Sequence, residues 1–205
     1  GSDVKSSSEI ISKFLFQIND NNFRKKILSL KKINLTKIFE RIKRLKILII
    51  GEIIIDEYTF VEMKGISPKS STLSCIKKDN KIMPGGTLAT YKFLSSLSNQ
   101  TKLISVINEE NYKSYRKNFH NLKDLIISKN FSKIKKNRLV SKDANQSLQK
   151  IFTINDFKEK ELNLNDKKKL IKKINMNAKD ADLIVVQDFG HGLFSKKISK
   201  TISKF

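Results

Sequence analysis

Three short segments, far apart in the chain, combine glycine with a carboxylate or with a second glycine. They are "GEIIIDEY" with Asp56, "MPGGTLATY" with Gly85 and Gly86, and "QDFGHG" with Asp188. A carboxylate such as Asp56 can accept two hydrogen bonds from vicinal hydroxyls, which suits a sugar. A Gly-Gly pair before a helix exposes backbone N–H groups and the positive end of the helix to hydroxyls or a phosphate. The residue types therefore favour a site for a polyhydroxylated or phosphorylated molecule.

Each of these features also has a purely structural interpretation. Asp56 can simply end a strand, and Gly85-Gly86 can be only a tight turn. Asp188 can cap the turn that follows it, and for this residue the structural interpretation is favoured. His191 is interpreted as a loop residue. No His, Cys and Asp cluster has metal-ligand spacing, and no Ser, His and Asp order is persuasive, so no metal site and no triad are predicted.

The elements around these segments predict how they would meet. "KILIIGEIIIDEY", residues 46–58, is a continuous apolar run bounded by charges, which predicts one strand buried on both faces of a parallel sheet. Helical spacing follows the Gly-Gly pair in "TLATYKFLSSL", and strands and helices then alternate to the end of the chain. This alternation predicts an α/β fold with an open, mainly parallel sheet flanked by helices. Ligands bind beyond the carboxyl ends of the strands in such sheets, where all three segments would converge.

The later elements are predicted from shorter patterns. Strands are expected at "KLISVI", "DLIIS", "NRLVS", "LQKIFTI" and "ADLIVVQ". A helix is expected from Glu109 to about Phe119, and another at "DKKKLIKKIN" with Asn163 or Asn165 as its cap. Ser195 is expected to cap the last helix.

Two regions stand outside this alternation. Residues 59–83 alternate over short distances, with Gly65 and Pro68 between the candidate strands "YTFVEM" and "TLSCIKK". This pattern predicts a two-stranded excursion that projects from the sheet. Residues 1–45 show helical spacing and begin with the capping-box pair Ser6 and Glu9, which predicts an N-terminal helical extension.

Composition limits the partners and the compartment. The chain has 42 basic and 20 acidic residues, a net charge of +22, which invites a nucleic-acid interpretation. The lysines are spread along the whole chain, and neither an arginine pattern for base readout nor clustered aromatics appear, so no nucleic-acid partner is predicted. No apolar run approaches the ~20 residues of a membrane helix, so no membrane is predicted. The single cysteine, Cys75, cannot form an internal disulfide, so a cytoplasmic location is expected.

Together the motifs resemble the ribokinase/PfkB family of carbohydrate kinases. "ILIIGEIIIDEY" resembles the family's first strand, "MPGGTLATYKFLSSL" its Gly-Gly signature opening a helix, and "DADLIVVQDFGHGLFS" the strand that usually ends Asp-Tyr-Gly-Lys-Gly. The pattern is most similar to the heptose-phosphate kinase type of the ADP-heptose synthase proteins, where "ISP" at Ile66–Pro68 and "KNRLVS…NQ" at Lys136–Gln146 have counterparts. The resemblance spans about residues 46–204.

The resemblance implies roles for particular positions. The residues that it assigns to substrate binding are Asp56, Gly85, Gly86, Arg138 and Asp188. The first three would hold the sugar, the arginine would approach a substrate phosphate, and Asp188 would line the cleft. Residues 59–83 would form a β-lid that closes over the sugar or sugar phosphate, excludes water and often pairs two subunits, so a homodimer through the lid is expected. The intact protein would require ATP and Mg²⁺.

The sequence departs from the family pattern in two places. The family's Asn shortly after Gly-Gly is absent, since residues 87–90 are Thr, Leu, Ala and Thr. This absence favours the alternative of a non-catalytic ribokinase-like module that serves dimerisation or regulation. The chain also reaches Phe205 before the Gly-x-Gly-Asp segment that carries the family's catalytic Asp, so no catalytic residue is assigned and these residues alone are expected to be inactive.

The opening segment carries a second resemblance. "VKSSSEIISKFL" resembles the end of a small-molecule nucleotidyltransferase domain, where a Ser/Thr-rich turn begins a helix. Residues 1–45 would then be a linker or the tail of such a domain, followed by the N-terminal portion of a sugar kinase domain at 46–205. An ordinary helix cap explains the same residues equally well, so both interpretations stay open.

Overall fold

The structure of the protein is a computed structural model that describes residues 34–114, 116, 122–142, 148–157 and 160–205. The helices in these ranges are α1 (Leu35–Arg44), α2 (Thr87–Leu97), α3 (Glu109–Ser114), α4 (Leu164–Ala178) and α5 (Lys196–Ile202). The strands are β1 (Lys46–Gly51), β2 (Ile53–Ile66), β3 (Leu73–Gly86), β4 (Gln100–Asn108), β5 (Leu125–Ser128), β6 (Lys135–Lys142), β7 (Leu148–Asp156) and β8 (Leu183–Gln187).

The chain divides into two compact units, residues 1–42 and 43–205. In the first unit the structure describes residues 34–42, which include most of α1. This helix begins where the Asn34 side chain accepts a hydrogen bond from the Lys37 N–H at 3.1 Å. The rest of the expected helical extension lies outside the described residues.

The second unit contains a sheet of four parallel strands in the order β5-β4-β1-β8. The central strand β1 places Ile49 opposite Leu103 of β4 and Val185 of β8. Successive β1 side chains point to opposite faces, so Leu48 and Ile50 pack with α4 and α5 while Ile47 and Ile49 pack with α2. A parallel sheet covered on both faces explains the near-continuous apolar sequence of its strands. The predicted α/β fold with an open, mainly parallel sheet flanked by helices is confirmed.

The apolar run at residues 46–58 forms two strands, and the prediction of one continuous strand is wrong. β1 ends at Gly51 and β2 begins at Ile53, in a different sheet. The break falls at Glu52, whose side chain is 0% exposed. A buried carboxylate needs hydrogen-bond donors, which the core side of an apolar strand does not supply. The chain therefore leaves the first sheet at Glu52. The residues before and after Glu52 are equally apolar, so the sequence pattern does not show this break.

The second sheet has the strand order β3-β2-β6-β7. It contains the segment expected to form a β-lid, and the name β-lid below refers to all four strands. β2 pairs antiparallel with β3 and parallel with β6, and β6 pairs antiparallel with β7. The excursion expected at 59–83 comprises parts of β2 and β3 and the turn between them, and the two strands extend beyond it to Ile53 and Gly86. The sheet has four strands where the sequence pattern predicted two. The two further strands come more than 45 residues later in the chain, and a local pattern cannot show that they pair here.

Helix ends follow the predicted caps in part. The side chain of Asn163, one of the two residues predicted as the cap, accepts the N–H of Asp166 at 2.8 Å and caps α4. Ser195 occupies the N-cap position of α5, but its hydroxyl makes no capping bond. The helix expected from Glu109 is described as far as Ser114. Within the described ranges, every helix is too short or too polar to cross a lipid bilayer.

Candidate functional site

Asp56 and Arg138 form an ion pair on one face of the β-lid. The register of β2 and β6 places Arg138 opposite Tyr58, two residues after Asp56 and therefore on the same face. The guanidinium donates from Nη1 to Oδ1 of Asp56, and both side chains are 17% exposed. The guanidinium carbon also lies 5.4 Å from the centre of the Tyr58 ring, a cation–π contact. Arg138 thus contacts both Asp56 and Tyr58, and the ion pair remains partly exposed to solvent.

Gly85 lies against the other oxygen of the Asp56 carboxylate. Gly85 is in β3, opposite Ile54 of β2. A Cβ atom at position 85 would lie 2.6 Å from Oδ2 of Asp56 and 2.9 Å from the carbonyl oxygen of Ile54. Glycine is therefore the residue that allows the carboxylate to take this position. The structure brings together three of the predicted site residues, and their binding of a sugar stays a prediction.

Gly86 makes the turn from β3 into α2. Its φ of 55° lies in the left-handed region, and a Cβ there would lie 2.5 Å from the carbonyl oxygen of Glu52. The same carbonyl oxygen accepts the backbone N–H and the hydroxyl of Thr87, at 3.0 and 2.9 Å. The first N–H of α2 is thus bonded inside the protein, which differs from the expectation that N–H groups here are exposed to a ligand.

Asp188 follows β8, whose last residue Gln187 is the register partner of Gly51. Its side chain is exposed, and Oδ1 accepts the N–H of Gly190 at 2.9 Å. This is the turn-capping contact that the spacing favoured. Its role in lining a cleft stays a prediction.

Glu52, which was not among the predicted site residues, links the three glycine-containing segments. Its Oε2 accepts the N–H of Phe189 at 2.7 Å, and its Oε1 accepts those of His191 and Leu193 at 2.9 and 3.0 Å. Its backbone carbonyl holds the start of α2 at Thr87. The signal that could have identified Glu52 is an acidic residue inside an apolar run. Such a residue is buried with the run, and a buried carboxylate must accept hydrogen bonds from other parts of the fold.

The lid face that carries Asp56 is rich in cations. The registers place Lys136 opposite Asp56, and both Lys81 and Arg138 opposite Tyr58. Residues opposite each other on neighbouring strands share a face, so three cations accompany Asp56 on these rows. On the next row of the same face, Asp79 lies opposite Phe60 and its carboxylate is 3.9 Å from the Lys81 ammonium. A guanidinium and ammonium groups beside a carboxylate suit a ligand with both a phosphate and hydroxyls.

The opposite face of the lid carries a second acid, Glu57. Its carboxylate contacts the ammonium of Lys135 and accepts a hydrogen bond from the side chain of Asn80. Burial raises the pKa of Glu57, but the hydrogen bonds from Lys135 and Asn80 outweigh burial and hold the pKa below its usual 4.5.

We expect the Glu57 pair to stabilise the fold at neutral pH and to stop doing so in acid. Because the pKa is lowered in the folded state, the stabilisation is complete above the unfolded value of 4.5 and is lost as the pH falls through the folded value. Denaturant unfolding of the wild type and Glu57→Gln would measure this stabilisation. We expect the free energy of unfolding of the variant to be lower by up to about 1 kcal/mol at pH 7, and the difference to shrink toward pH 3. An unchanged difference at both pH values would contradict the expectation.

No protein-family model matches the sequence. The chain is similar to the bifunctional protein HldE of Aliarcobacter butzleri, with 26% identity over 166 residues that cover 78% of this chain and 34% of that protein. It is also similar to the bifunctional protein HldE of Campylobacter jejuni strain RM1221, with 28% identity over 162 residues that cover 78% and 33% of the two chains. The chain thus spans about a third of the length of the curated relatives it matches.

Solved structures show the same fold. A crystal structure of phosphofructokinase-2 from Escherichia coli with potassium superposes with a TM-score of 0.54 at 12% identity, over 78% of this chain and 51% of that one. The structure of that enzyme with fructose-6-phosphate gives a TM-score of 0.53 at 13% identity, with the same coverage. The resemblance that the motifs indicated is therefore confirmed: this chain has the ribokinase-like fold seen in phosphofructokinase-2, and its sequence is similar to the bifunctional HldE proteins.

Proposed function

We propose that the chain is part of a carbohydrate kinase that transfers the γ-phosphoryl group of ATP to a hydroxyl of a sugar phosphate. A phosphorylated heptose or a similar sugar would be the substrate, and the intact protein would be a bifunctional kinase and nucleotidyltransferase of activated-sugar synthesis. The observation that carries the proposal is the contact between Asp56, Gly85 and Arg138 on a cation-rich lid face. The similarity to the bifunctional HldE proteins supports the same assignment.

Asp56 and Arg138 would bind different parts of the substrate. Asp56 would accept hydrogen bonds from adjacent sugar hydroxyls, and the substrate phosphate would attract Arg138. The guanidinium would then leave Oδ1 of Asp56 free for a hydroxyl. Closure of the β-lid over the bound molecule would exclude water, which otherwise competes for the phosphoryl group.

ATP would supply the phosphoryl group, and Mg²⁺ would neutralise its charge. Across the described residues, no group of three His, Cys, Asp or Glu side chains could hold a metal ion, so no Mg²⁺ ligand is assigned here. The catalytic Asp is expected in a Gly-x-Gly-Asp segment, which these 205 residues do not contain. Their inactivity in isolation therefore stays a prediction.

The β-lid would also pair two subunits in the cytoplasm. The face opposite Asp56 carries exposed apolar side chains in β3 and β7: Ile82, Phe152 and Ile154. Burying such side chains against a second copy would release water from apolar surface. The tetrameric inhibited form of phosphofructokinase-2 shows that a protein of this fold assembles. Sedimentation of the full-length protein would check the dimer, and a monomer at micromolar concentration would contradict it.

An assay of the full-length protein tests the proposed function. It is incubated with ATP and a panel of phosphorylated heptoses and hexoses, with the unphosphorylated sugars as controls. We expect ADP release with one or a few of the sugar phosphates. We expect little release with the unphosphorylated sugars, because they lack the phosphate that Arg138 would bind. Binding of a sugar phosphate without any turnover would instead support the non-catalytic regulatory module, and neither binding nor turnover would reject both functions.

A further inference from the structure

We propose that Glu52 is the positioning residue of this site. Its side chain and backbone would hold the loop after β8 and the start of α2 in the arrangement that receives the substrate. The inference rests on the proposed function, because it assigns a role within that same site.

The carboxylate of Glu52 organises the loop after β8. It accepts the N–H groups of three alternate residues of this loop, at 2.7–3.0 Å. The intervening residues, Gly190 and Gly192, have φ values of 76° and 89°, which lets the loop curl around a single side chain. A Cβ at Gly192 would lie 2.5 Å from the carbonyl oxygen of Lys160, so the loop also packs closely against the backbone at Lys160. Asp188 stands at the beginning of this loop.

The backbone of Glu52 reaches the other two segments. Its carbonyl oxygen accepts the N–H and hydroxyl of Thr87, at the point where Gly86 turns into α2. Residues 53–55, all buried isoleucines, separate Glu52 from Asp56 in β2. Buried side chains cannot move without disturbing their neighbours, so a displacement at position 52 is passed to Asp56.

The chemistry of the side chain explains why a carboxylate is used. Burying a charge costs free energy, and an apolar residue would close the core without that cost. An ionised carboxylate has only acceptors, so its two oxygens can satisfy several N–H groups at once. In glutamine one of these oxygens is replaced by a donor, which would face at least one backbone N–H and leave it unsatisfied. Residues that orient a binding loop in this way act through others and need not touch the ligand.

The protein offers a matched control at Asp166. This side chain is 4% exposed and accepts hydrogen bonds from the Ser128 hydroxyl at 2.5 Å and the Asn163 amide at 2.7 Å. It lies at the start of α4 and contacts none of the three glycine-containing segments through these bonds. Asp166→Asn and Glu52→Gln both replace a buried carboxylate by an amide of the same shape, so both should lower the melting temperature.

The test compares the two variants in the full-length protein, with the sugar phosphate that the panel turns over fastest. We expect Glu52→Gln to lower kcat/KM by about tenfold or more, mainly through a higher KM, since misplaced binding groups cost at least this much. Asp166→Asn should leave KM at the wild-type value. Equal KM values in both variants, with an active wild type, would overturn the inference alone. A wild type that turns over no sugar phosphate would reject the proposed function itself.

A second measurement covers the case in which Glu52→Gln does not fold. Amide hydrogen exchange of the wild-type protein is followed with and without the same sugar phosphate. We expect the ligand to slow exchange at the three loop N–H groups bonded to Glu52 and to leave the Asp166 N–H unchanged. Unchanged exchange at the loop, with the ligand bound, would overturn the inference without any variant.

Discussion

Replacing Asp56 with asparagine should lower kcat/KM for the sugar phosphate by about a hundredfold, which corresponds to about 3 kcal/mol of lost binding to the transition state. Asparagine has the same shape as aspartate, but its amide nitrogen cannot accept a hydrogen bond and its oxygen carries no charge. One sugar hydroxyl would lose its acceptor and the other would keep a weaker one. Arg138 would lose its ionic partner as well. Steady-state kinetics of the full-length protein would measure the change.

Glu57→Gln is the control for this prediction. Glu57 is the next residue of β2 and is also a paired carboxylate, but it lies on the opposite face of the lid. Loss of its charge changes the net charge of the lid by the same amount as Asp56→Asn does. We expect its kcat/KM to equal that of the wild type. If the two variants lost activity equally, the charge of the lid and not the contact at Asp56 would account for the effect.

Gly85→Ala should displace the Asp56 carboxylate and weaken sugar-phosphate binding about tenfold or more. The added Cβ would lie 2.6 Å from Oδ2 of Asp56 and 2.9 Å from the Ile54 carbonyl oxygen, where the backbone of a paired strand cannot yield easily. The carboxylate side chain would swing away and break its contact with Arg138. Such overpacking should also lower the free energy of unfolding by about 1–3 kcal/mol. Calorimetric titration and denaturant unfolding would measure the two effects.

Gly65→Ala separates steric displacement from backbone strain. A Cβ at Gly65 would meet nothing within 4 Å, but the φ of 98° is unfavourable for alanine. This variant should lose about 1–2 kcal/mol of stability from strain and keep its affinity for the sugar phosphate. Wild-type affinity in Gly85→Ala would show that the position of the Asp56 carboxylate does not matter for binding.

Sequence patterns predicted the elements whose signals are local. The helix after Gly86 was predicted as Thr87–Leu97 from its spacing and its glycine start, and the structure has these bounds. The closeness of Asp56 and Gly85 could also be anticipated, because β2 and β3 are joined by a short turn. The choice of glycine at position 85 then follows from the carboxylate beside it.

Sequence patterns did not reveal contacts between distant segments. The pairing of Arg138 with Asp56 depends on β6 lying beside β2, although Arg138 comes 82 positions after Asp56 in the chain. Glu52 meets its donors 137–141 residues later, so nothing near it in the sequence indicates what satisfies its charge. His191 was interpreted as a loop residue, which it is, but its ring is buried and lies 4.3 Å from the Phe157 ring. Its burial comes from packing that no local pattern records.

A structure of the full-length protein with the sugar phosphate bound would test the central claim most directly. We predict that two sugar hydroxyls donate to the Asp56 carboxylate beside Gly85 and that the phosphate lies against the Arg138 guanidinium. The three N–H bonds to Glu52 should be unchanged. A sugar phosphate bound elsewhere, with Asp56 and Arg138 still paired to each other, would contradict the account.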